Sequence, residues 1–125
     1  MPIDATLPYD DSNIFARILR GEIPCRKVYE DEFALAFHDI NPQAPVHILV
    51  LPKGAYVSWD DFSARAGEAE IAGFVRAVGK VARDEGLVGA GYRLLANVGA
   101  ASGQEVPHLH VHIFGGRGLG PMLAR

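Results

Sequence analysis

The chain has 125 residues, 49% apolar and 22% charged, the composition of one ordinary globular domain with enough length for a core. Its formal net charge of -3 gives no basic face for DNA or RNA, and its one cysteine, Cys25, allows no internal disulfide. The N-terminus carries Asp4, Asp10 and Asp11 and no apolar run, and the longest strongly apolar stretch, Val46 to Leu51, is too short to cross a bilayer. No nucleic-acid or membrane partner is therefore expected, and the expected location is cytoplasmic.

Residues 1–11 read as a loose or extended N-terminal arm and residues 12–125 as one domain. A first helix is expected from Ser12 to Arg20, capped by Ser12 or Asp11 and ended at Gly21. Ile14, Phe15, Ile18 and Leu19 form its apolar stripe. Lys27 to Tyr29 and Phe33 to His38 read as a hairpin joined through Glu30-Asp31-Glu32. Two prolines make Asn41 to Pro45 a loop. Val46 to Leu51 is apolar on both faces, as in a covered central strand.

After the Pro52-Lys53-Gly54 break, helical spacing of Ile71, Phe74, Val75, Val78, Val81 and Ala82 predicts one long helix from about Ser63 to Glu85. Gly73 and Gly79 weaken it, and Gly86 closes it. Tyr92 to Val98 reads as a strand, Gly99 to Val106 as a polar loop and Leu109 to Phe114 as the last strand, before a glycine- and proline-containing tail. The order of elements gives an α+β class: a mostly antiparallel sheet with helices on one side.

The chemistry concentrates in His108-Leu109-His110-Val111-His112-Ile113-Phe114. On a strand the three histidines share one face, while Leu109, Val111 and Ile113 anchor the other. Successive histidines then stand roughly 7 Å apart at Cα, close enough to meet on one ligand or relay hydrogen bonds. Three readings follow. The face is simply solvated or internally satisfied. Alternatively, two histidines bind zinc with His47 or Asp39 as third ligand. Or a neutral imidazole attacks phosphorus while a neighbour carries the proton for the leaving group. The loop Gly99 to Gln104 supports the third, because such loops can turn backbone N–H groups onto an anion.

The segment resembles the His-φ-His-φ-His-φ-φ signature of the histidine triad superfamily. Phe37 to Leu49 is similar to that family's nucleoside-binding strand and loop. Gly103 to Pro107, Gly115-Gly116-Arg117 and Leu119 to Leu123 resemble its Hint branch in the bacterial form. The likeness spans approximately Ser12 to Leu123. It implies a five-stranded antiparallel sheet with two helices, joined across a homodimer into ten strands. It implies hydrolysis of purine nucleoside 5′-phosphoramidates through a nucleotidyl-histidine intermediate, with a purine mononucleotide as ligand and no cofactor. A dinucleoside polyphosphate hydrolase and a nucleotide-binding regulatory protein are the alternatives.

The resemblance also implies roles. His110 is the nucleophile, His112 contacts the phosphate and helps the leaving group depart, and His108 and His47 complete a relay that orients His110. Asp39 holds the ribose hydroxyls. Ile14, Phe15, Ile18, Phe37, His38 and Ile40 sandwich the base, and Asn97, Gly103, Gln104 and Glu105 line the phosphate. Two features depart from related proteins. Asn13 and Ala16 stand where some members carry a zinc-binding Cys-x-x-Cys pair, so no structural metal is expected. Glu105 stands where animal Hint proteins have a serine, and its charge disfavours a nearby phosphate unless the side chain swings out.

Overall fold

The computed structural model describes residues 3–124. Five strands, β1 (Lys27–Glu30), β2 (Ala34–His38), β3 (Val46–Pro52), β4 (Arg93–Leu95) and β5 (Val111–Gly115), form one sheet in the order β1-β2-β3-β5-β4. Every neighbouring pair is antiparallel. β3 is central, and both its faces are buried.

Those two faces need two covers, which corrects the expectation of helices on one side. Ala34, Ala36, Ile48, Val50, Val111 and Ile113 join Phe62, Phe74, Ala77, Val78 and Val81 in the larger core. These helical residues come from α2 (Trp59–Arg65) and α3 (Glu68–Asp84). Leu35, Phe37, Leu49 and Leu51 point the other way, where Phe15 of α1 (Ile14–Leu19) covers them. Strands that alternate without a polar face cannot leave either side to water.

α1 is shorter than its apolar pattern suggests. Its N-cap is Asn13, whose side-chain oxygen accepts from the Ala16 N–H at 2.9 Å, so neither Ser12 nor Asp11 caps it. Gly21 takes the expected left-handed turn, with φ of +79°. The single long helix expected from Ser63 is two helices. Ser58 caps α2 and Ala66 is extended, so the chain turns before α3 begins. The Gly67 N–H and the Tyr56 hydroxyl both donate to the Glu70 carboxylate at that junction. The Ser58-x-x-Asp61 spacing is a start signal that helical periodicity alone passes over.

β4 and β5 are also shorter than expected, for a shared reason. The Leu109 N–H donates to the Tyr56 carbonyl at 2.8 Å, so residues before Val111 cross the β3–α2 connection and leave the ladder. Leu95 pairs with His112, and beyond it β4 has no partner strand among the described residues. The expected arm is docked: the Ile3 N–H donates to the Gln104 carbonyl at 2.9 Å, and Tyr9 reaches His108.

Candidate active site

The histidine face of the sheet is the one covered by α1. His112 lies in β5, opposite Leu49, and His47 opens β3 one residue after Val46. His108 and His110 sit just before β5, both buried. The rings of His110 and His112 are 5.1 Å apart, and those of His112 and His47 5.2 Å. The Phe15 ring meets His110 edge-on at 4.8 Å.

What faces each ring determines which nitrogen carries hydrogen. A carbonyl oxygen only accepts, so the nitrogen against it must donate. His110 Nδ1 lies 2.7 Å from the His108 carbonyl oxygen; Nδ1–H donates and Nε2 keeps its lone pair. His108 Nε2 donates to the Pro52 carbonyl at 2.8 Å, so its Nδ1 accepts from the Tyr9 hydroxyl at 2.6 Å. At the other end the Gln43 N–H donates to His47 Nδ1 at 3.1 Å. His47 therefore carries its hydrogen on Nε2 and donates to His112 Nδ1 at 2.9 Å. His112 is left with an N–H at Nε2. Two neighbouring imidazoles thus present opposite faces: a bare nitrogen on His110 and a donor on His112.

Burial favours the neutral rings on which these tautomers depend. Burial lowers His108 to about 4, aided by repulsion from His110. It lowers His112 to about 4, with His110 and His47 adding repulsion. His110 and His47 are also lowered, by burial first, against the pull of Asp39.

The relay differs from the one expected. The His108 side chain turns to Tyr9 and Pro52, and only its main-chain carbonyl reaches His110. His47 reaches His112, not His110. The cause is local: His108 precedes the ladder, so strand alternation does not govern its ring.

The expected ligand contacts divide in the same way. Phe15, Ile18 and Phe37 gather in one apolar cluster beside His110, whereas Ile14 is 47% exposed and Ile40 fully exposed, so any base wall they give is open to solvent. His38 pairs with Ile48 in register, which gives its side chain the parity of the opposite sheet face. One Asp39 oxygen accepts from the Asn41 N–H at 2.7 Å, and the other lies 3.4 Å from His47 Nε2.

Gln104 is not free to hold a phosphate. Its buried side chain donates to the Val57 and Val106 carbonyls and accepts from the Gly99 N–H. The Gly103 and Gln104 N–H groups bond the Ala100 and Gly99 carbonyls, so these amides close the loop on itself instead of facing an anion. Glu105 is exposed, and Asn97 is half-buried beyond the end of β4. Tyr9 carries no signal in the sequence, because a lone tyrosine in a polar arm has no periodicity.

Asp39, His47 and His112 place one ligand atom each within 4.8 Å of one another. Two imidazoles and a carboxylate suit Zn²⁺, at the expense of the His47–His112 hydrogen bond. A cavity of about 300 Å³ adjoins this end, lined by Gln43, Arg93, Phe114, Arg117 and the tail from Leu119. The larger cavity, about 530 Å³, lies elsewhere, between α3 and β4.

The fold and this face define a protein of the histidine triad class, with clustered imidazoles on a sheet flanked by α1. The HIT domain family model matches residues 20–119. The chain is 70% identical to a HIT-like protein of Azospirillum brasilense, over 94% of this chain and 96% of that one. It is 45% identical to the purine nucleoside phosphoramidase of Escherichia coli, over 91% and 95%. A histidine triad protein from Clostridium difficile superposes with a TM-score of 0.80 at 40% identity, covering 93% of this chain and all of that one. The chain belongs to the HIT domain family.

Proposed function

We propose that this chain is a nucleotide hydrolase that cleaves purine nucleoside 5′-phosphoramidates through a nucleotidyl intermediate on His110. The observation that carries the reading is the 2.7 Å bond from His110 Nδ1 to the His108 carbonyl. It commits the ring to the tautomer with a free Nε2 pair, as a nucleophile requires. The 45% identity to the Escherichia coli phosphoramidase supports the substrate class.

A phosphoryl anion bound beside His112 favours its charged ring and raises its proton affinity from about 4; the added proton enters at Nδ1, and the His47 Nε2–H turns from it to Asp39 Oδ2, 3.4 Å away. His110 Nε2 attacks phosphorus, the P–N bond breaks, and His112 gives its Nε2 proton to the departing amine. Water then attacks the phosphorus as neutral His112 takes its proton, the Nε2–P bond breaks, and the nucleotide leaves with the Nε2 pair returned to His110. Asp39 Oδ2 holds the ribose, and Phe15 and Phe37 face the base. The leaving group lies toward the cavity of Arg93, Arg117 and the C-terminal tail. No metal takes part in these steps.

A second copy of the chain completes the assembly. β4 forms one edge of the sheet, and exposed Trp59, Val75 and Leu94 ring the apolar cavity beside it. A partner paired there covers the edge and extends the sheet.

The test is intact-protein mass spectrometry after rapid quenching of the protein with adenosine 5′-phosphoramidate, beside His110→Ala. One AMP adduct on the native chain and none on the variant is expected. AMP released without any adduct points to direct attack by water. Binding with neither adduct nor release leaves a nucleotide-binding protein.

A further inference from the structure

We propose that Tyr9, in the N-terminal arm, is a positioning residue that orients the nucleophile through His108. This rests on the reading of His110 as nucleophile. The Tyr9 hydroxyl is 2.6 Å from His108 Nδ1, and the two rings meet edge-on at 5.6 Å. Because His108 Nε2 already donates to Pro52, the hydroxyl is the donor and Nδ1 the acceptor. Tyr9 and Pro52 grip the His108 ring from opposite nitrogens, and the ring is fully buried. The same residue's carbonyl receives His110 Nδ1–H.

The chain of dependence is short. The Tyr9 hydroxyl satisfies a buried Nδ1 that has no other partner among the described residues. Without it the ring carries an unpaired buried acceptor, which it relieves by rotating. A change of tautomer gives no relief, because it would leave Nδ1–H unpaired and set a bare Nε2 against the Pro52 carbonyl, two acceptors face to face. Rotation shifts residue 108 and its carbonyl, which fixes the His110 tautomer. Both ends of the arm are held in place for this contact. The Ile3 N–H bonds the Gln104 carbonyl, and Tyr9 is half-buried four residues before the Asn13 cap. Tyr9 touches no reacting atom; it acts through two hydrogen bonds.

Tyr9→Phe keeps the ring and its edge contact and removes only the hydroxyl, so the folded core is not at risk. The experiment combines steady-state kinetics on adenosine 5′-phosphoramidate with ¹⁵N NMR of the histidine side chains, in the full chain. For Tyr9→Phe, kcat should fall roughly tenfold, the scale of one buried hydrogen bond, with KM and AMP affinity within twofold. The Nδ1 and Nε2 shifts of His108 should move together with those of His110. A purely structural role would lower the unfolding temperature without this split. Unchanged kcat in the variant of an active protein overturns the proposal and leaves His110 as nucleophile untouched. The NMR arm decides even if the native chain turns nothing over, because a His110 signal that ignores the loss of the Tyr9 hydroxyl also overturns it.

Discussion

His110 and His112 differ by two positions, yet the backbone around them gives one a bare nitrogen and the other an N–H. The difference separates their roles in binding and in chemistry. His110→Ala should abolish turnover, because the lost nitrogen bonds to phosphorus only as the reaction proceeds. AMP affinity, measured by titration calorimetry, should stay within a few-fold. Near-normal turnover in this variant would remove His110 as nucleophile. Asp39, His47 and His112 set a second condition on turnover. Turnover should survive exhaustive chelation. Added Zn²⁺ should suppress it, because the ion takes the His112 Nδ1 pair that His47 otherwise holds, and a chelator should restore it. Loss of activity on chelation that zinc repairs would make the metal a catalyst instead.

Helix α3 shows how an element can contradict its own propensity. Glycine costs about 1 kcal/mol in a helix interior relative to alanine, so Gly73 looks like a site to improve. A Cβ there would run into the Phe33 ring, on the strand side of the helix. Gly73→Ala should therefore destabilise the chain by about 1–3 kcal/mol, the range for overpacking, despite the better propensity. Chemical denaturation measures it, and an increase in stability would mean that Phe33 moves aside freely. Gly73 belongs to what the sequence could not display: a glycine in a helical pattern marks weakness, and only the neighbouring strand reveals the close approach. Other elements were legible because one physical rule governs each. Phe33 to His38 alternates large apolar residues with smaller ones, Val46 to Leu51 is apolar on both faces, and both formed strands within a residue or so of expectation. The ladder was legible for His112, which strand parity controls. It failed for His108, whose ring answers to Tyr9 and Pro52, contacts 99 and 56 residues away in the chain. Gln104 failed likewise, because its role as a loop clasp depends on the Val57 carbonyl in a distant segment.

For the molecule as a whole, the open β4 edge and the deep histidines make two measurable demands. If a second copy covers β4, Leu94→Lys places a charge on the covered surface, and burying an unpaired charge is costly. The native chain should show twice 13.5 kDa by sedimentation equilibrium and the variant a single chain. A native chain of single mass at micromolar concentration would end the dimer proposal. The second demand concerns acid. Four histidines, His47, His108, His110 and His112, are held below their ordinary value by burial. Unfolded histidines take a proton near pH 6.5, whereas the folded rings refuse it until lower pH. Their contribution is therefore fully present above about pH 6.5 and is lost as pH falls toward the folded values, about 4 for His108 and His112. The buried His108 alone accounts for about 3 kcal/mol across that window. The lowered carboxylates, such as Glu30 at about 2, shift stability in the same direction only below about pH 4.5, so the interval from pH 6.5 to 5 reports the histidines. At fixed protein concentration, the urea midpoint should be level from pH 8 to 7 and fall steadily from pH 6.5 to 5. A midpoint that stays level down to pH 5 would mean that these rings protonate in the folded chain as readily as in water, and the tautomers that distinguish His110 from His112 would lose their basis.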